Sequence, residues 1–205
     1  MQDILDTLRK VGAVLDHSHF VGTSGAHFDT YINKDALYPH TAVVSEIGAI
    51  FAQKHAHLPI DIVAGPALGG IILSQWTAHH LSRLMEKEIL SIYAEKKDDT
   101  LTLTRGYDKL VAGKNVLVVE DLTSTGGSLQ KVIDAVKKYG GNVIATSVMV
   151  NKNPLVTPDT FGVPFTPLAS IDIPIYTENE CLLCTQGVPI NTTIGHGKAF
   201  LASKT

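Results

Sequence analysis

Short apolar runs alternate along the chain with segments in which apolar residues recur at helical spacing. Val116–Val119 is a run of four β-forming residues and indicates a buried strand. Further strands are predicted at Ile60–Ala64, Glu88–Ala94, Asn142–Val150 and Leu168–Ile173. Helices are predicted at Gln2–Val14, His40–His55, Ile71–Met85 and Leu129–Tyr139. Strands that alternate with helices predict an α/β fold with a mainly parallel, doubly wound sheet.

Two parts of the chain depart from this alternation. Phe20–Lys34 predicts two short strands around a turn at Ser24-Gly25. Residues 151–167 are rich in proline and predict a loop, and Ile175–Ile190 predicts a short helix closed by Gly187.

Composition bounds the class of protein. The chain has 205 residues, 44% of them hydrophobic and 18% charged, with a formal net charge of −3. These values predict one soluble globular domain, and they give no reason to expect nucleic acid as a partner. The apolar runs are too short for a bilayer, and the first residues lack the features of a signal peptide. We therefore expect a cytoplasmic protein with no membrane partner.

The residues after Val119 carry the candidate chemistry. Glu120 and Asp121 follow the strand, and the small residues Thr123–Gly127 precede the next helix. Backbone N–H groups of such a loop, together with the helix N-terminus, can bind a phosphate. The two carboxylates would repel that phosphate unless they face ribose hydroxyls or Mg²⁺. A 5-phosphoribosyl group fits this pattern, and the absence of GxxxxGK[ST] excludes a P-loop.

A second strand, glycine-rich turn and helix precede this one. Gly65-Pro66-Ala67-Leu68-Gly69-Gly70 follows the strand that ends at Ala64. Its glycines allow a close approach of the backbone that larger residues would block. In an open α/β sheet, both turns lie at the carboxyl ends of strands, where ligands bind.

These motifs resemble those of a known family. Val116–Ser128 is similar to the phosphoribosyl-pyrophosphate (PRPP) signature of type I phosphoribosyltransferases and most similar to the orotate phosphoribosyltransferases. The GPALGG turn resembles their pyrophosphate loop, and Phe20–Tyr31 resembles the hairpin of their N-terminal hood. The text C-x-L-C-x-x-G-x-P-I, beginning at Cys181, resembles the tail of a subset of such proteins.

The resemblance implies a fold and a reaction. It implies one type I phosphoribosyltransferase domain over residues 1–205, with the hood mainly at 15–38, the core at about 39–175 and a tail at 176–205. The implied enzyme is a glycosyltransferase that moves 5-phosphoribosyl from PRPP to a nucleobase with release of pyrophosphate. Orotate is the first expectation, giving orotidine 5′-phosphate in pyrimidine biosynthesis. Mg²⁺ and a homodimer are also implied.

The resemblance further implies roles for individual residues. Glu120, Asp121 and Lys96 are the implied catalytic residues, and the two acids would meet Mg²⁺ indirectly through PRPP. The implied PRPP-binding residues are Glu120, Asp121, Leu122, Thr123, Ser124, Thr125, Gly126, Gly127, Ser128, Ala67, Leu68, Gly69, Gly70 and Lys96. The implied base-binding residues are Thr23, Ser24, Gly25, Lys34 and Gln130.

Two departures from the family pattern leave alternatives open. The family's mobile loop typically reads RK-x-x-K-x-HG, whereas this chain has Glu95-Lys96, an acid near the catalytic lysine position at Asp99, and no His-Gly. Lys97, Arg105 and Lys109 are possible replacements for the missing charge. Gln130 stands where many orotate enzymes carry an arginine for the base's carboxylate.

Gln130 cannot neutralise the carboxylate of orotate. Either another cation does so, with Lys34 as a candidate, or the base is a different one, either a purine or an uncharged pyrimidine. A non-catalytic regulator that binds PRPP or a nucleotide is the remaining alternative. The chain has no DNA-binding segment that would favour it.

The only two cysteines form the C-x-x-C pair Cys181 and Cys184. A tetrahedral zinc site needs four ligands, and only His196 follows among the histidines, so further ligands would have to come from elsewhere in the chain or from another subunit. Such a pair can bind a metal, form a redox couple or pack as two thiols, and we expect packing thiols here. His17, His19, His55, His57, His79 and His80 are likewise expected to be packing or surface residues.

Overall fold

The computed structural model describes residues 3–204. Its helices are α1 (Ile4–Lys10), α2 (Lys34–Leu37), α3 (Thr41–His55), α4 (Gly69–Leu84), α5 (Tyr107–Leu110), α6 (Gly127–Lys138), α7 (Pro158–Phe161), α8 (Leu182–Thr185) and α9 (Gly197–Ala202). Its strands are β1 (Val14–Leu15), β2 (Phe20–Val21), β3 (His27–Phe28), β4 (Tyr31–Ile32), β5 (Ile62–Pro66), β6 (Leu90–Lys97), β7 (Thr100–Thr102), β8 (Asn115–Thr123), β9 (Asn142–Asn151) and β10 (Phe165–Ser170).

The chain divides into two compact units. Among the described residues, the first unit is Asp3, Ile4 and Tyr38–Ile171, and the second is Leu5–Leu37 and 172–204. The C-terminal segment thus belongs to the same unit as the N-terminal hairpins. No local sequence pattern predicts this grouping. The finer predicted division at 15–38, 39–175 and 176–205 stays a prediction.

The first unit contains a six-stranded sheet in the order β10-β9-β8-β5-β6-β7. Every pairing is parallel except that of β7, which runs antiparallel to β6. The predicted mainly parallel, doubly wound sheet is therefore confirmed. After β5 the chain adds β6 on one side and β8 on the other, so the strand order reverses between β5 and β8. Open α/β sheets bind their ligands at the carboxyl ends of strands flanking such a switch point.

The core explains why these strands are apolar without interruption. Successive side chains of a strand point to opposite faces. Ile62 of β5 and Val116 and Val118 of β8 pack with the apolar side of α6, which contributes Leu129 and Val132. The intervening Val63, Leu117 and Val119 are also fully buried and face the other side, where α4 contacts these strands. Both faces of the sheet are therefore covered by helices, as parallel strands require.

Several predicted boundaries are wrong. The predicted helix from Gln2, a residue outside the described range, is Ile4–Lys10, and the positive φ of 71° at Gly12 follows its end. The last strand is Phe165–Ser170 rather than Leu168–Ile173. Pro167 is tolerated in it because β10 lies at the edge of the sheet. In place of the helix predicted at Ile175–Ile190 there are a 3₁₀ turn at Glu178–Glu180 and α8, and α9 was not predicted.

The second unit consists of short elements. β1 pairs with β4 and β2 with β3, both antiparallel, and the turn between β2 and β3 holds the predicted Ser24-Gly25. Isolated bridges join His19 to Ile190 and His27 to Tyr176, so the C-terminal segment adds backbone pairing to the N-terminal hairpin. Among residues 3–204, no helix combines the length and apolar character that crossing a membrane requires.

Candidate active site

Two predicted loops meet at the carboxyl edge of the sheet. Ala67–Gly70 follows β5, and the loop through Gly126 follows β8, the strand paired with β5. The closest approach is at Gly69, where a Cβ atom would overlap the Asp121 carboxylate and come within 2.5 Å of the Tyr38 hydroxyl. The first loop can therefore lie against the acid pair only because residue 69 has no side chain.

The Asp121 carboxylate is buried and held on both oxygens. Asp121 is only 6% exposed to solvent. The Leu122 N–H donates to Oδ1 at 2.7 Å, and the Tyr38 hydroxyl donates to Oδ2 at 2.8 Å. Tyr38, which precedes α3, was not predicted as a site residue because no local pattern links it to β8.

The Glu120 carboxyl points to the opposite face of β8 from Asp121. We predicted that the acids follow the strand, but β8 continues through both of them to Thr123. Burial raises the pKa of Glu120 to about 8, the negative charge of Asp121 adds to the rise, and a hydrogen bond with Ser128 opposes it. Glu120 therefore favours its protonated form near neutral pH, which reduces the negative charge that it places beside the loop.

The loop between β8 and α6 has the form of an anion site. Gly126 has a left-handed φ of 78°, and its N–H donates to Thr123 Oγ1 at 2.9 Å. The N-cap residue of α6, Gly126, has no side chain, and the Gly127 N–H donates to Thr125 Oγ1 at 3.3 Å. Ser124 and Thr125 are exposed, and Asn153 Nδ2 donates to the Ser124 carbonyl at 2.8 Å. An anion at this helix N-terminus would meet backbone N–H groups and the positive end of the helix dipole.

The predicted mobile loop is a short hairpin in this structure. β6 extends to Lys97 and pairs with β7, and Lys96 is exposed on it opposite Leu101. Glu95 accepts two hydrogen bonds from the Arg105 guanidinium, at 3.0 and 3.2 Å, and a third from the Thr104 hydroxyl. The hydrogen bonding from Arg105 contributes most to lowering the pKa of Glu95, and the bond from Thr104 adds to it. Arg105 thus offsets the acid that replaces the family's arginine.

One cation near the acid pair was missed. Lys152 follows β9 directly, and its backbone N–H donates to the Thr123 carbonyl at 2.8 Å. Burial lowers the pKa of Lys152, and the charge of Asp121 acts in the opposite direction. The sequence does place a lysine at the carboxyl end of a predicted strand. That position points to the acid pair only when it is known that β9 lies beside β8.

The predicted base-binding residues lie in different units. Thr23, Ser24 and Gly25 form the β2–β3 turn of the second unit, where Lys34 opens α2 and forms an ion pair with Asp35 at 3.1 Å. Gln130 lies in the first unit on α6 and donates to Asp134 Oδ1 at 2.8 Å. The roles of all five residues stay predictions.

We expect Glu120→Gln to flatten the dependence of stability on pH. Below pH 4.5 both folded and unfolded chains hold this proton. Between that value and about 8 the unfolded chain releases it while the folded chain retains it, so stability falls as pH rises. The loss is at most about 5 kcal/mol, at ~1.4 kcal/mol per pKa unit. Urea unfolding from pH 4 to 9 measures the effect, and parallel curves for wild type and variant would contradict it.

Comparison with known proteins agrees with this geometry. The sequence model of the phosphoribosyl transferase domain matches residues 33–172. The orotate phosphoribosyltransferase of Caldanaerobacter subterraneus subsp. tengcongensis is 33% identical over 189 residues, which are 92% of this chain and 94% of that protein. That of Thermotoga maritima is 34% identical over 186 residues, 91% and 94% of the two chains.

Solved structures show the same fold. The crystal structure of Mycobacterium tuberculosis orotate phosphoribosyltransferase superimposes with a TM-score of 0.66 at 21% identity, covering 82% of this chain and 97% of that one. The family match, the relatives and the two loops at the switch point lead to the same conclusion: this chain belongs to the phosphoribosyltransferase family and is most similar there to the orotate phosphoribosyltransferases.

Proposed function

We propose that this phosphoribosyltransferase transfers the 5-phosphoribosyl group of PRPP to orotate, yielding orotidine 5′-phosphate and pyrophosphate. The observation that carries the proposal is the contact between the Gly69 backbone and the Asp121 carboxylate, which brings both ligand loops to one place. Orotate is the proposed base because the relatives that match over nine-tenths of the chain carry that name.

We assign the parts of PRPP by the chemistry of each loop. The 5′-phosphate binds the N–H groups and hydroxyls of Thr123–Ser128, and Asp121 accepts hydrogen bonds from the ribose hydroxyls. Glu120, protonated near neutral pH, can both donate to and accept from the ribose without adding charge beside the phosphate. The pyrophosphate lies along Ala67–Gly70, with exposed Lys96 as the cation of the hairpin.

The reaction needs positioning more than a covalent nucleophile. A ring nitrogen of the base forms a bond to C1 of the ribose while the bond from C1 to the pyrophosphate oxygen breaks. The electron pair leaves with pyrophosphate, and the nitrogen releases any proton to solvent. Positive charge develops on the sugar in the transition state. Fixed loops that hold the two ends of PRPP contribute by orienting C1, and a negative Asp121 nearby favours that charge.

The donor set fits an indirect role toward Mg²⁺. Carboxylate oxygens are ligands that Mg²⁺ accepts, often through water. Both oxygens of Asp121 already accept hydrogen bonds from protein groups, which favours contact through the water shell of the ion. When bound with PRPP, Mg²⁺ would neutralise charge on the leaving pyrophosphate.

Lys152 is the proposed cation for the carboxylate of orotate. Gln130 cannot neutralise a carboxylate and is already bonded to Asp134. Lys152 lies next to the end of β8, whereas Lys34 already forms an ion pair with Asp35. A partly buried lysine gains most from an anionic partner, because the partner offsets the desolvation of its charge.

We expect Asp121→Asn to lower turnover about 10- to 100-fold, the equivalent of one charge-assisted hydrogen bond. The amide has the same shape, and the Leu122 N–H can still donate to its oxygen, so the fold should persist. Steady-state kinetics with saturating PRPP measure the change, and circular dichroism checks the fold. Wild-type turnover in this variant would remove Asp121 from the proposed role.

A panel of bases tests the proposal as a whole. The protein is incubated with PRPP and Mg²⁺ and with orotate, uracil, adenine, guanine, hypoxanthine or xanthine, and pyrophosphate release is measured. We expect release with orotate alone. Release only with another base would overturn the base assignment while retaining the reaction. PRPP binding without release for any base would overturn the enzymatic proposal in favour of a regulator.

We also propose a cytoplasmic homodimer, in line with the family resemblance, in which the loop lysine often acts at a neighbouring subunit's site. Sedimentation equilibrium of the purified protein tests the assembly. A dimer mass is expected, and a monomer over the whole accessible concentration range would contradict it.

A further inference from the structure

Four metal-ligating side chains come together in the second unit, which contains none of the residues assigned to PRPP. They are His19, His27, Cys181 and Cys184, and one ligand atom of each lies within 4.8 Å of all the others. His19, His27 and Cys181 are at most 1% exposed, and Cys184 is half-buried. Both cysteines are free thiols. This contact was not expected from the sequence, where the histidines lie more than 150 residues from the cysteines.

Three distances between nitrogen and sulfur atoms of the cluster match the edges of a tetrahedral zinc site. Zinc–nitrogen bonds of about 2.0–2.1 Å and zinc–sulfur bonds of about 2.3 Å give edges of roughly 3.3–3.8 Å. His19 Nε2 lies 3.7 Å from Cys181 Sγ and 3.8 Å from Cys184 Sγ, and His27 Nδ1 lies 3.4 Å from Cys184 Sγ. The two ring nitrogens, His19 Nε2 and His27 Nδ1, are 2.7 Å apart. A zinc ion bound between them would increase this distance by roughly 0.6 Å.

The surroundings orient the histidine ligands. His19 Nδ1 lies 2.8 Å from the Val188 carbonyl oxygen, which can only accept, so Nδ1 carries a proton and Nε2 presents its lone pair to the cluster. A metal-bound histidine is usually held in orientation by a hydrogen bond from its other ring nitrogen to a carbonyl or carboxylate. Two backbone hydrogen bonds with Tyr176, at 2.8 and 2.9 Å, fix His27.

We propose that His19, His27, Cys181 and Cys184 bind one structural zinc ion, which joins the β2–β3 hairpin to the C-terminal segment. On binding, the two thiols release their protons to solvent. Two thiolates, two neutral imidazoles and Zn²⁺ then sum to zero charge, which suits a buried site. Four protein ligands fill the tetrahedron and leave no position for water, so the role is structural rather than catalytic.

The alternatives are less consistent with this arrangement. A redox pair would use only the two cysteines and would not account for two buried histidines whose ring nitrogens converge on the thiols. Packing alone would bring ring nitrogens and thiol sulfurs to within 3.4–3.8 Å of one another with no ion between them. On zinc binding the proton of His27 would lie on the buried Nε2, and Nδ1 would be free to ligate.

Metal content of the full chain tests the proposal. Protein purified under reducing conditions without a tag or chelator is analysed by mass spectrometry of its elements, and we expect about one zinc per chain. Cys181→Ser and His27→Ala should retain less than about a tenth of this content, since removing one of four ligands opens the site. The matched control is His79→Ala, an exposed histidine on α4, which should retain all of it.

A second measurement uses the unmodified chain, in case the variants fail to fold. X-ray absorption at the zinc edge should show two sulfur and two nitrogen neighbours. Wild-type protein that contains no zinc and takes up none when zinc is added would overturn the proposal, as would a Cys181–Cys184 disulfide in the freshly reduced preparation. A zinc site with oxygen or fewer sulfur neighbours would overturn the ligand assignment. None of these readouts depends on transferase activity.

Discussion

Gly69→Ala is expected to lower kcat/KM at least about 100-fold. The new methyl group would overlap the Asp121 carboxylate and crowd the Tyr38 hydroxyl, so either the 67–70 loop or the acid must move. A displacement of about 1 Å at a site that works by positioning costs on the order of 100-fold in rate. Overpacking should also lower stability by about 1–3 kcal/mol. Steady-state kinetics with PRPP and orotate measure the first effect, and urea unfolding measures the second.

Gly113→Ala is the matched control for this change. Gly113 also has a special backbone conformation, with φ of 70°, but a Cβ atom there meets nothing within 4 Å. It precedes β8 and lies at the amino end of that strand, opposite the ligand loops. The control should lose about 1–2 kcal/mol of stability through left-handed strain and keep its activity. If Gly69→Ala kept wild-type kcat/KM, the assigned contact between the loops would have no role in catalysis.

Lys152→Met is expected to raise KM for orotate about 10- to 100-fold, the second large effect that we predict. The substitution keeps an unbranched side chain, shorter by the terminal nitrogen alone, and removes the charge that we assign to the carboxylate of orotate. A hydrogen bond to a charged group contributes about 1.5–3 kcal/mol, which corresponds to that range. KM for PRPP should change much less, since the proposed PRPP contacts lie on other residues. Initial rates with each substrate varied in turn separate the two constants.

Two further variants make this result specific. Lys34→Met tests the other candidate cation and should leave KM for orotate nearly unchanged. Lys152→Arg keeps the charge and should retain most of the affinity for orotate. A large effect at Lys34 with none at Lys152 would reverse the assignment of the cation.

The pattern of hydrophobic residues predicted most of the sheet because parallel strands are apolar along their whole length. Val116–Val119 lies within β8, and Asn142–Val150 lies within β9 beside it. The predicted strand Ile60–Ala64 overlaps β5 but begins two residues before it. The ends were predicted less well. β8 runs on through Glu120 and Asp121 because pairing with β9 continues there, with Leu122 opposite Val150. That pairing is a tertiary fact, and carboxylates in a strand give no local sign of it.

The site divides in the same way between local and tertiary signals. The phosphate loop and the GPALGG turn were recognisable because each is one continuous segment. Tyr38 and Lys152 were missed because only the folded chain brings them near Asp121: Tyr38 donates to its carboxylate, and Lys152 is influenced by its charge. The cluster of His19, His27, Cys181 and Cys184 is the extreme case: two pairs of ligands, each uninformative alone, meet from opposite ends of the chain.

The most direct test of the central claim is a crystal structure of the protein with PRPP and Mg²⁺ bound. The 5′-phosphate should be held by Thr123–Ser128, the pyrophosphate should lie along Ala67–Gly70, and the ribose hydroxyls should face Glu120 and Asp121. PRPP bound at any other place, with both loops free of ligand, would contradict the account.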